Sequence, residues 1–214
     1  MASMLSQLAS GMVVSVEIFV FTLLFSLPLG LLVAFGRMAK NPVIQFIVKI
    51  YIAIMRGTPL MLQIIVVYFA PFYLFGIKIS QSYRFIAVII AFSVNYAAYF
   101  AEIYRSGIES IPVGQYEAAQ VLGYNKFQTF FKIIFPQVIK RILPPVTNET
   151  ITLVKDTSMA FTISVAEMFT VAKQISAKQA SISALMIAGL FYFIFNYVVA
   201  FIMEFVEKKL SYYK

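Results

Sequence analysis

The chain contains no cysteine and no histidine among its 214 residues. Thiol nucleophiles, disulfides, imidazole acid–base catalysis and metal sites built from thiolate or imidazole ligands are therefore excluded. Charged residues make up only 12% of the chain, whereas 61% is hydrophobic, which is far from the balance of a soluble domain. We therefore predict an integral membrane protein that is not an enzyme, with no catalytic residues and no metal site.

Long apolar runs predict where the chain crosses the bilayer. Four charge-free runs are long enough to cross about 30 Å of hydrocarbon. They comprise residues 18–36, with a start nearer Gly11, then 57–77, 85–101 and 181–203. A fifth span is predicted between residues 127 and 167, where scattered charges interrupt every apolar window. Asn41 and Pro42 predict a helix start, and residues 43–55 either lie on the membrane surface or continue into the second span.

The distribution of basic residues predicts the orientation of these spans. Basic residues outnumber acidic ones, 17 to nine, an excess that favours cytoplasmic loops rather than a nucleic-acid partner. With five crossings, one side carries Arg37, Lys40, the connection 105–141 and the tail 208–214, and the other carries only Lys78, Arg84, Lys173 and Lys178. The expected fold is all-α and integral to the membrane, with five transmembrane helices, the amino terminus outside and the carboxyl terminus cytoplasmic. Residues 1–214 are expected to form a single transmembrane domain, since no internal repeat or linker interrupts them.

The connection after the third span contains a short predicted helix. Pro112 and Gly114 interrupt the helix before them, because proline lacks a backbone donor and glycine is a weak helix former. Residues 115–122 can form a helix, and Gly123 is a natural terminator. This cytoplasmic connection is the most informative part of the sequence.

The composition of this helix suggests contact with another protein. Ala118 and Ala119 give it a surface without bulk, so it could lie in a groove of a partner. Glu117 could pair there with a basic group. The alternative is an interfacial helix that only shields the loop.

The wider spacing carries a resemblance to a known family. Glu-Ala-Ala at 117–119 is followed by Gly123 after three residues, and by Ile133, Phe135 and Pro136 further on. This pattern resembles the EAA loop of permease subunits of binding-protein-dependent ABC importers, in particular those for polar amino acids, although Phe135 stands where leucine is usual. Further stretches match that branch in order, at 56–59, 102–105, 107–111 and 153–158.

The resemblance implies a mechanism and a set of partners. The EAA loop, at about 112–136, would contain the coupling helix that docks on a cytoplasmic ATPase subunit, whose ATP-driven closure switches the pore between inward and outward openings. The coupling positions carried over are Gly114, Gln115, Glu117, Ala118, Ala119 and Gly123. The implied partners are a second permease subunit, identical or paralogous, two ATPase subunits, an extracytoplasmic amino-acid-binding protein and membrane lipid. The implied location is a prokaryotic plasma membrane.

The energy source is expected to lie outside this chain. The sequence contains no Walker A phosphate loop, the motif that cradles nucleotide phosphates in such ATPases. No cofactor is therefore expected in this chain, and ATP and Mg²⁺ would be bound by the partner ATPase.

Polar residues recur at helical spacing on two predicted spans. Asn95, Tyr99 and Glu102 share one face, and Asn148, Thr152 and Lys155 repeat that spacing. A charged group in a bilayer costs about 2.5–3.5 kcal/mol on insertion scales, so such groups usually face protein or water. We therefore hypothesise that these faces line the translocation path and meet the ammonium and carboxylate groups of the substrate. The set is completed by Arg56, Thr58, Glu149, Asp156 and Ser158.

Two alternatives stay open for these charges. Glu149 or Asp156 could pair internally with Lys155, and Glu102 could pair with Arg105, which is favoured for Glu102 because it approaches the cytoplasmic interface. The carboxylates could also serve a stand-alone secondary transporter or channel. A chain with five spans and no inverted repeat is small for that function and suits half of a dimeric pore.

Overall fold

The computed structural model of the chain describes residues 2–210, and all regular secondary structure in that range is helical. The helices are α1 (Ala2–Arg37), α2 (Pro42–Gly57), α3 (Leu60–Phe75), α4 (Tyr83–Glu109), α5 (Val113–Val121), α6 (Lys126–Gln128), α7 (Phe135–Asp156), α8 (Met168–Gln179) and α9 (Ser183–Leu210). A π-helical segment (Thr129–Ile134) leads into α7, and a 3-10 segment (Thr157–Ile163) follows it. Lys214, counted above among the basic residues of the tail, lies outside the described residues.

Helix α1 is longer than the apolar run that predicted it. It begins at Ala2 rather than near Gly11, because its first turns have a packing partner that the sequence does not reveal. Met4 and Leu8 are buried in a cluster with Met168 and Ala172 of α8. Tertiary burial therefore extends the helix beyond its purely apolar part.

A sharp bend separates α2 from α3. The two helices meet at 111° across the break between Gly57 and Leu60, where Pro59 removes a backbone donor and fixes its own φ. The Gln63 side chain stabilises the bend by donating to the carbonyl oxygen of Met55 at 3.0 Å and to Thr58 Oγ1 at 2.8 Å. The open choice for residues 43–55 is thus resolved: they form a separate helix, bent against the next one.

Within residues 2–210, three helices are long and apolar enough to cross a membrane, namely α1, α4 and α9, and a fourth crossing results if the bent pair α2–α3 counts as one span. Helix α7 lies inside the region where the sequence predicted a hidden span. Its 22 residues extend about 33 Å at roughly 1.5 Å per residue, which is long enough to cross despite its charges. The number of five spans and their orientation stay predictions.

Helix α4 lies at the centre of the bundle. Its Phe92 and Phe100 are fully buried against Ile18 of α1 and Leu153 of α7. Gly30 of α1 permits this packing, because a methyl group there would lie 2.8 Å from Phe100 Cβ and 3.1 Å from the carbonyl oxygen of Ala97. Helix α7 packs against the closely packed pair α1 and α4.

The Gly30→Ala variant is expected to be destabilised by about 1–3 kcal/mol, the usual cost of overpacking a tight contact. Thermal unfolding in detergent micelles measures this as a lowered transition temperature. The Gly189→Ala variant on α9 is the matched control, because a methyl group there meets nothing within 4 Å. It should unfold at the same or a higher temperature, since alanine favours helix more than glycine does. Equal transition temperatures for both variants would contradict the tight α1–α4 contact.

Candidate functional site

Helix α5 lies close to the predicted residues 115–122 but begins two residues earlier, at Val113, because Gly114 is part of the helix rather than an interruption. Pro112 precedes its first residue, and the backbone N–H of Gln115 donates to the Pro112 carbonyl oxygen at 3.0 Å. At the other end Gly123 takes a left-handed conformation with φ +77°. The backbone N–H of Tyr124 donates to the Ala119 carbonyl oxygen at 3.0 Å, which is the closing bond of a Schellman motif. The helix is therefore defined by its own local sequence.

The two neighbouring alanines of α5 have different surroundings. Ala119 is buried, whereas Ala118 is exposed, because successive helical residues point about 100° apart. The expectation that both alanines offer a bare surface thus needs correction for Ala119, which faces the protein. Next to it, Tyr116 packs on a cluster around the buried Ile111 and Ile134.

The outer face of α5 is exposed. The other predicted coupling positions are all exposed: Gly114, Gln115, Glu117, Ala118 and Gly123. Methyl groups added at Gly114 or Gly123 would meet nothing within 4 Å. This face therefore offers a smooth surface to which another protein could come close.

Three exposed apolar residues at the two ends of α5 were not predicted from the sequence as contact residues. Val113, Val121 and Leu122 are 70%, 88% and 72% exposed. The inner face of α5 is already occupied by Tyr116 and Ala119. The spacing of Val121 and Leu122, three and four positions after Ala118, was the signal that could have identified these two. Val113 points roughly 140° away from Ala118 at about 100° per residue. An exposed apolar surface of this kind is typical of a contact with another protein.

One hydrogen bond connects α5 to α7, and a second connects α7 to the end of α4. The Gln137 side chain of α7 donates to Gln115 Oε1 at 3.1 Å, and the Arg141 guanidinium donates to the carbonyl oxygen of Ser110, which follows α4. Asn125 and Gln128 form a capping box that starts α6, from which the π-helical segment runs directly into α7. Helix α5 therefore contacts both α7 and the segment that leads into it.

The predicted polar face of α4 is divided between different partners. Asn95 is buried and donates from Nδ2 to the Met55 carbonyl oxygen at 2.9 Å and to Gln63 Oε1 at 3.0 Å. Thr58 donates to the Ile54 carbonyl oxygen at 2.8 Å. Asn95 and Thr58 thus hold the α2–α3 bend together. Tyr99, by contrast, lies under the guanidinium of Arg56, 5.2 Å from ring centroid to Cζ.

Glu102 forms ion pairs near the end of α4. Arg105 Nη2 lies 2.7 Å from Glu102 Oε2, and Arg37 Nε lies 3.8 Å from Glu102 Oε1. Arg105 also contacts Glu109 at 2.5 Å. Glu102 is therefore engaged in the internal pair that was favoured for it, away from the other acidic candidates.

The acidic candidates on α7 have different surroundings. Asp156 accepts a hydrogen bond of 2.7 Å from the Tyr96 hydroxyl. Glu149 is half-buried, and the charges that act on it are those of Arg56 and Asp156. Within residues 2–210, no ion pair of 4.0 Å or less joins Lys155 to either carboxylate. The structure thus brings Arg56, Tyr99, Glu149 and Asp156 into one neighbourhood.

The remaining polar candidates lie at the edge of this neighbourhood. Asn148, Thr152 and Lys155 are exposed along one face of α7. The Thr152 hydroxyl donates to the Asn148 carbonyl oxygen at 3.0 Å, and the Ser158 hydroxyl donates to the Lys155 carbonyl oxygen at 2.8 Å. Both hydroxyls are thereby satisfied by their own helix, while Lys155 and the Asn148 amide face outward.

Comparisons with known proteins agree with these features. The family described as binding-protein-dependent transport system inner membrane component matches residues 26–212. The L-cystine transport system permease protein TcyB of Bacillus subtilis is 34% identical over 208 residues, which cover 96% of this chain and 87% of TcyB. The arginine transport system permease protein ArtQ of the same organism is 35% identical over 202 residues, which cover 94% of this chain and 91% of ArtQ.

A solved structure supports the same assignment. The crystal structure of an amino acid ABC transporter with histidines superposes with a TM-score of 0.88 at 28% identity, covering 98% of this chain and 96% of that chain. The alternative of a stand-alone transporter or channel is not favoured by these relatives. The chain belongs to the binding-protein-dependent transport system inner membrane components, as a multi-pass permease subunit of an ABC importer for polar amino acids.

Proposed function

We propose that this chain forms one half of an alternating-access pore and that α5 is the helix through which a partner ATPase drives it. One observation carries the proposal: α5 exposes Val121 and Leu122 on its outer face beside Ala118, while its inner face packs on the π-helical segment that leads into α7. Burying large apolar side chains against a partner contributes about 25 cal/mol per Å². A groove on a second protein is therefore the natural environment of this face.

The contact between α5 and α7 provides a route by which movement of the ATPase reaches the membrane helices. When the docked ATPase subunits close, α5 moves with them, and Gln115 draws on Gln137 of α7. Helix α7 carries Glu149 and Asp156, so its tilt changes which side of the membrane these carboxylates face. The ATPase partners bind ATP and Mg²⁺, since this chain has no phosphate loop.

The exposed polar residues of α7 suit the inside of a dimeric pore. Asn148, Thr152 and Lys155 would be costly in contact with lipid, and a second permease subunit, identical or paralogous, would enclose them. We assign five spans, with α7 as the fourth, and place α5 in the cytoplasm of a prokaryotic cell. An extracytoplasmic binding protein then delivers the amino acid to the opposite opening.

The neighbourhood of Arg56 and Glu149 fits the two charges of an amino acid. A guanidinium can bind a carboxylate through two parallel hydrogen bonds, and Tyr99 beneath Arg56 restricts the motion of its side chain. Glu149 and Asp156 offer carboxylates to the ammonium group. We therefore propose that a polar amino acid passes between α2 and α7 at this point.

Purification with the partner subunits tests the proposal. The chain is co-expressed with the ATPase and binding protein encoded beside it, and the complex is reconstituted in liposomes. We expect the ATPase to co-purify and its ATP hydrolysis to rise when the loaded binding protein is added. Uptake by this chain alone, driven by an ion gradient, would instead show a secondary transporter.

A further inference from the structure

A second feature of the molecule lies outside the transport path. An apolar cleft of about 590 Å³ opens between α1, the end of α4, the π-helical segment and the first half of α7, a volume within the range of about 300–1,000 Å³ that is typical of ligand pockets. Its walls are hydrophobic, and the one hydroxyl among them, that of Tyr104, donates to the Leu27 carbonyl oxygen at 3.4 Å. The cleft therefore offers no hydrogen bond to a polar ligand.

The cleft faces away from the polar stripe of α7. Its α7 wall includes Ile142, Leu143 and Val146, and Asn148 and Thr152 point on average roughly 140° away from these around the helix at about 100° per residue. If a second permease subunit covers the polar stripe, the cleft is left facing the bilayer. The exposed rings of Phe35, Phe131 and Phe135 form its open side.

A basic residue lies beside the same cleft. Lys132 is exposed and falls between the lining residues Phe131 and Phe135, where its ammonium group lies 5.7 Å from the centroid of the Tyr124 ring. Apolar walls with a cation at one end are complementary to an acyl chain attached to an anionic headgroup.

We propose that the cleft binds one acyl chain of an anionic phospholipid, with the lipid phosphate at Lys132. The occupied cleft supports the π-helical segment Thr129–Ile134, which joins α6 to α7 and packs on α5. π-Helical turns are rare and frequently lie at functional sites. We assign this lipid to the cytoplasmic leaflet, which rests on the orientation given under the proposed function. Binding of the lipid itself does not depend on transport.

The absence of tryptophan from the chain allows a direct test. The variant Phe135→Trp places a single tryptophan in the cleft, and Phe193→Trp places one on the exposed face of α9. Each full-length variant is reconstituted without ATPase, and quenching of its fluorescence by brominated phosphatidylglycerol is compared with quenching by brominated phosphatidylcholine. We expect phosphatidylglycerol to bind at the Phe135→Trp reporter about fivefold more strongly, and both lipids to quench Phe193→Trp equally.

Charge variants complete the test. Lys132→Gln in the Phe135→Trp background should remove the preference for phosphatidylglycerol, whereas Lys78→Gln, at the other end of α4, should retain it. Equal quenching by both lipids at both reporters would show ordinary annular lipid and overturn the proposal. Absence of quenching at Phe135→Trp would show that protein covers the cleft, which also overturns it. Because no ATP is used, failure here is distinct from failure of the coupling proposal, which co-purification measures.

Discussion

The Ala118→Trp variant is expected to lose substrate-stimulated ATP hydrolysis and to take up substrate at least tenfold more slowly than the wild-type importer. Ala118 is exposed on the outer face of α5, so the indole does not disturb the packing of this chain. It does prevent close approach of a partner, because a groove shaped for a methyl group cannot accept it without shifts that cost about 1–3 kcal/mol or more. Uptake of radiolabelled amino acid into proteoliposomes measures the loss.

A second tryptophan on the same helix serves as the control. Gln120 is also exposed, but it points roughly 160° away from Ala118 around the helix axis at about 100° per residue. The Gln120→Trp variant should therefore bind the ATPase and transport nearly as well as the wild type. Normal transport by Ala118→Trp, or equal losses in both variants, would be inconsistent with docking through the outer face of α5.

The Glu149→Gln variant is expected to reduce uptake at least tenfold while leaving assembly with the ATPase intact. Glu149 is half-buried on α7, and no basic side chain in residues 2–210 forms an ion pair with it, so its charge is available for the substrate ammonium. The amide has the same shape but no charge, and hydrogen bonds to charged groups contribute about 1.5–3 kcal/mol. Uptake and substrate-stimulated ATP hydrolysis are measured on the same preparation.

Two further variants separate charge from structure. Glu204→Gln breaks an exposed pair with Lys208 at 2.8 Å on α9, and such surface pairs contribute little, so transport should be unchanged. Asp156→Asn removes a charge but leaves an oxygen that accepts the hydrogen bond of Tyr96, so the protein should fold while uptake falls. If Glu149→Gln transported at the wild-type rate with unchanged selectivity, Glu149 would not belong to the path.

The presence and the end of α5 could be predicted from the sequence because they are determined locally, whereas its start was predicted two residues too late because Gly114 lies within the helix. Pro112 and Gly123 act through their own backbone geometry, and no distant contact is needed to place them. The apolar cores of α1, α4 and α9 could be predicted for a similar reason, since each contains enough hydrophobic length to cross a bilayer by itself. Local signals thus located both the bundle and the candidate coupling helix.

Features that depend on tertiary contacts were beyond the reach of sequence patterns. The bend between α2 and α3 is held by Gln63 and Asn95, residues 32 positions apart, so Asn95 serves the bend although its spacing resembled a pore-lining stripe. The orientations of Ala118 and Ala119 depend on which face of α5 meets α7. Periodicity gives the relative angle of two side chains, but it does not give the side on which a partner lies.

The most direct test of the account determines on which side of the membrane Val121 lies and whether an ATPase subunit covers it. The chain has no cysteine, so Val121→Cys introduces a single thiol on the most exposed part of α5. A membrane-impermeant maleimide should leave this thiol unlabelled in intact cells and label it in inverted vesicles stripped of ATPase. Adding the ATPase subunit back should then protect it. Labelling from outside intact cells, or equal labelling with and without the ATPase, would contradict the account.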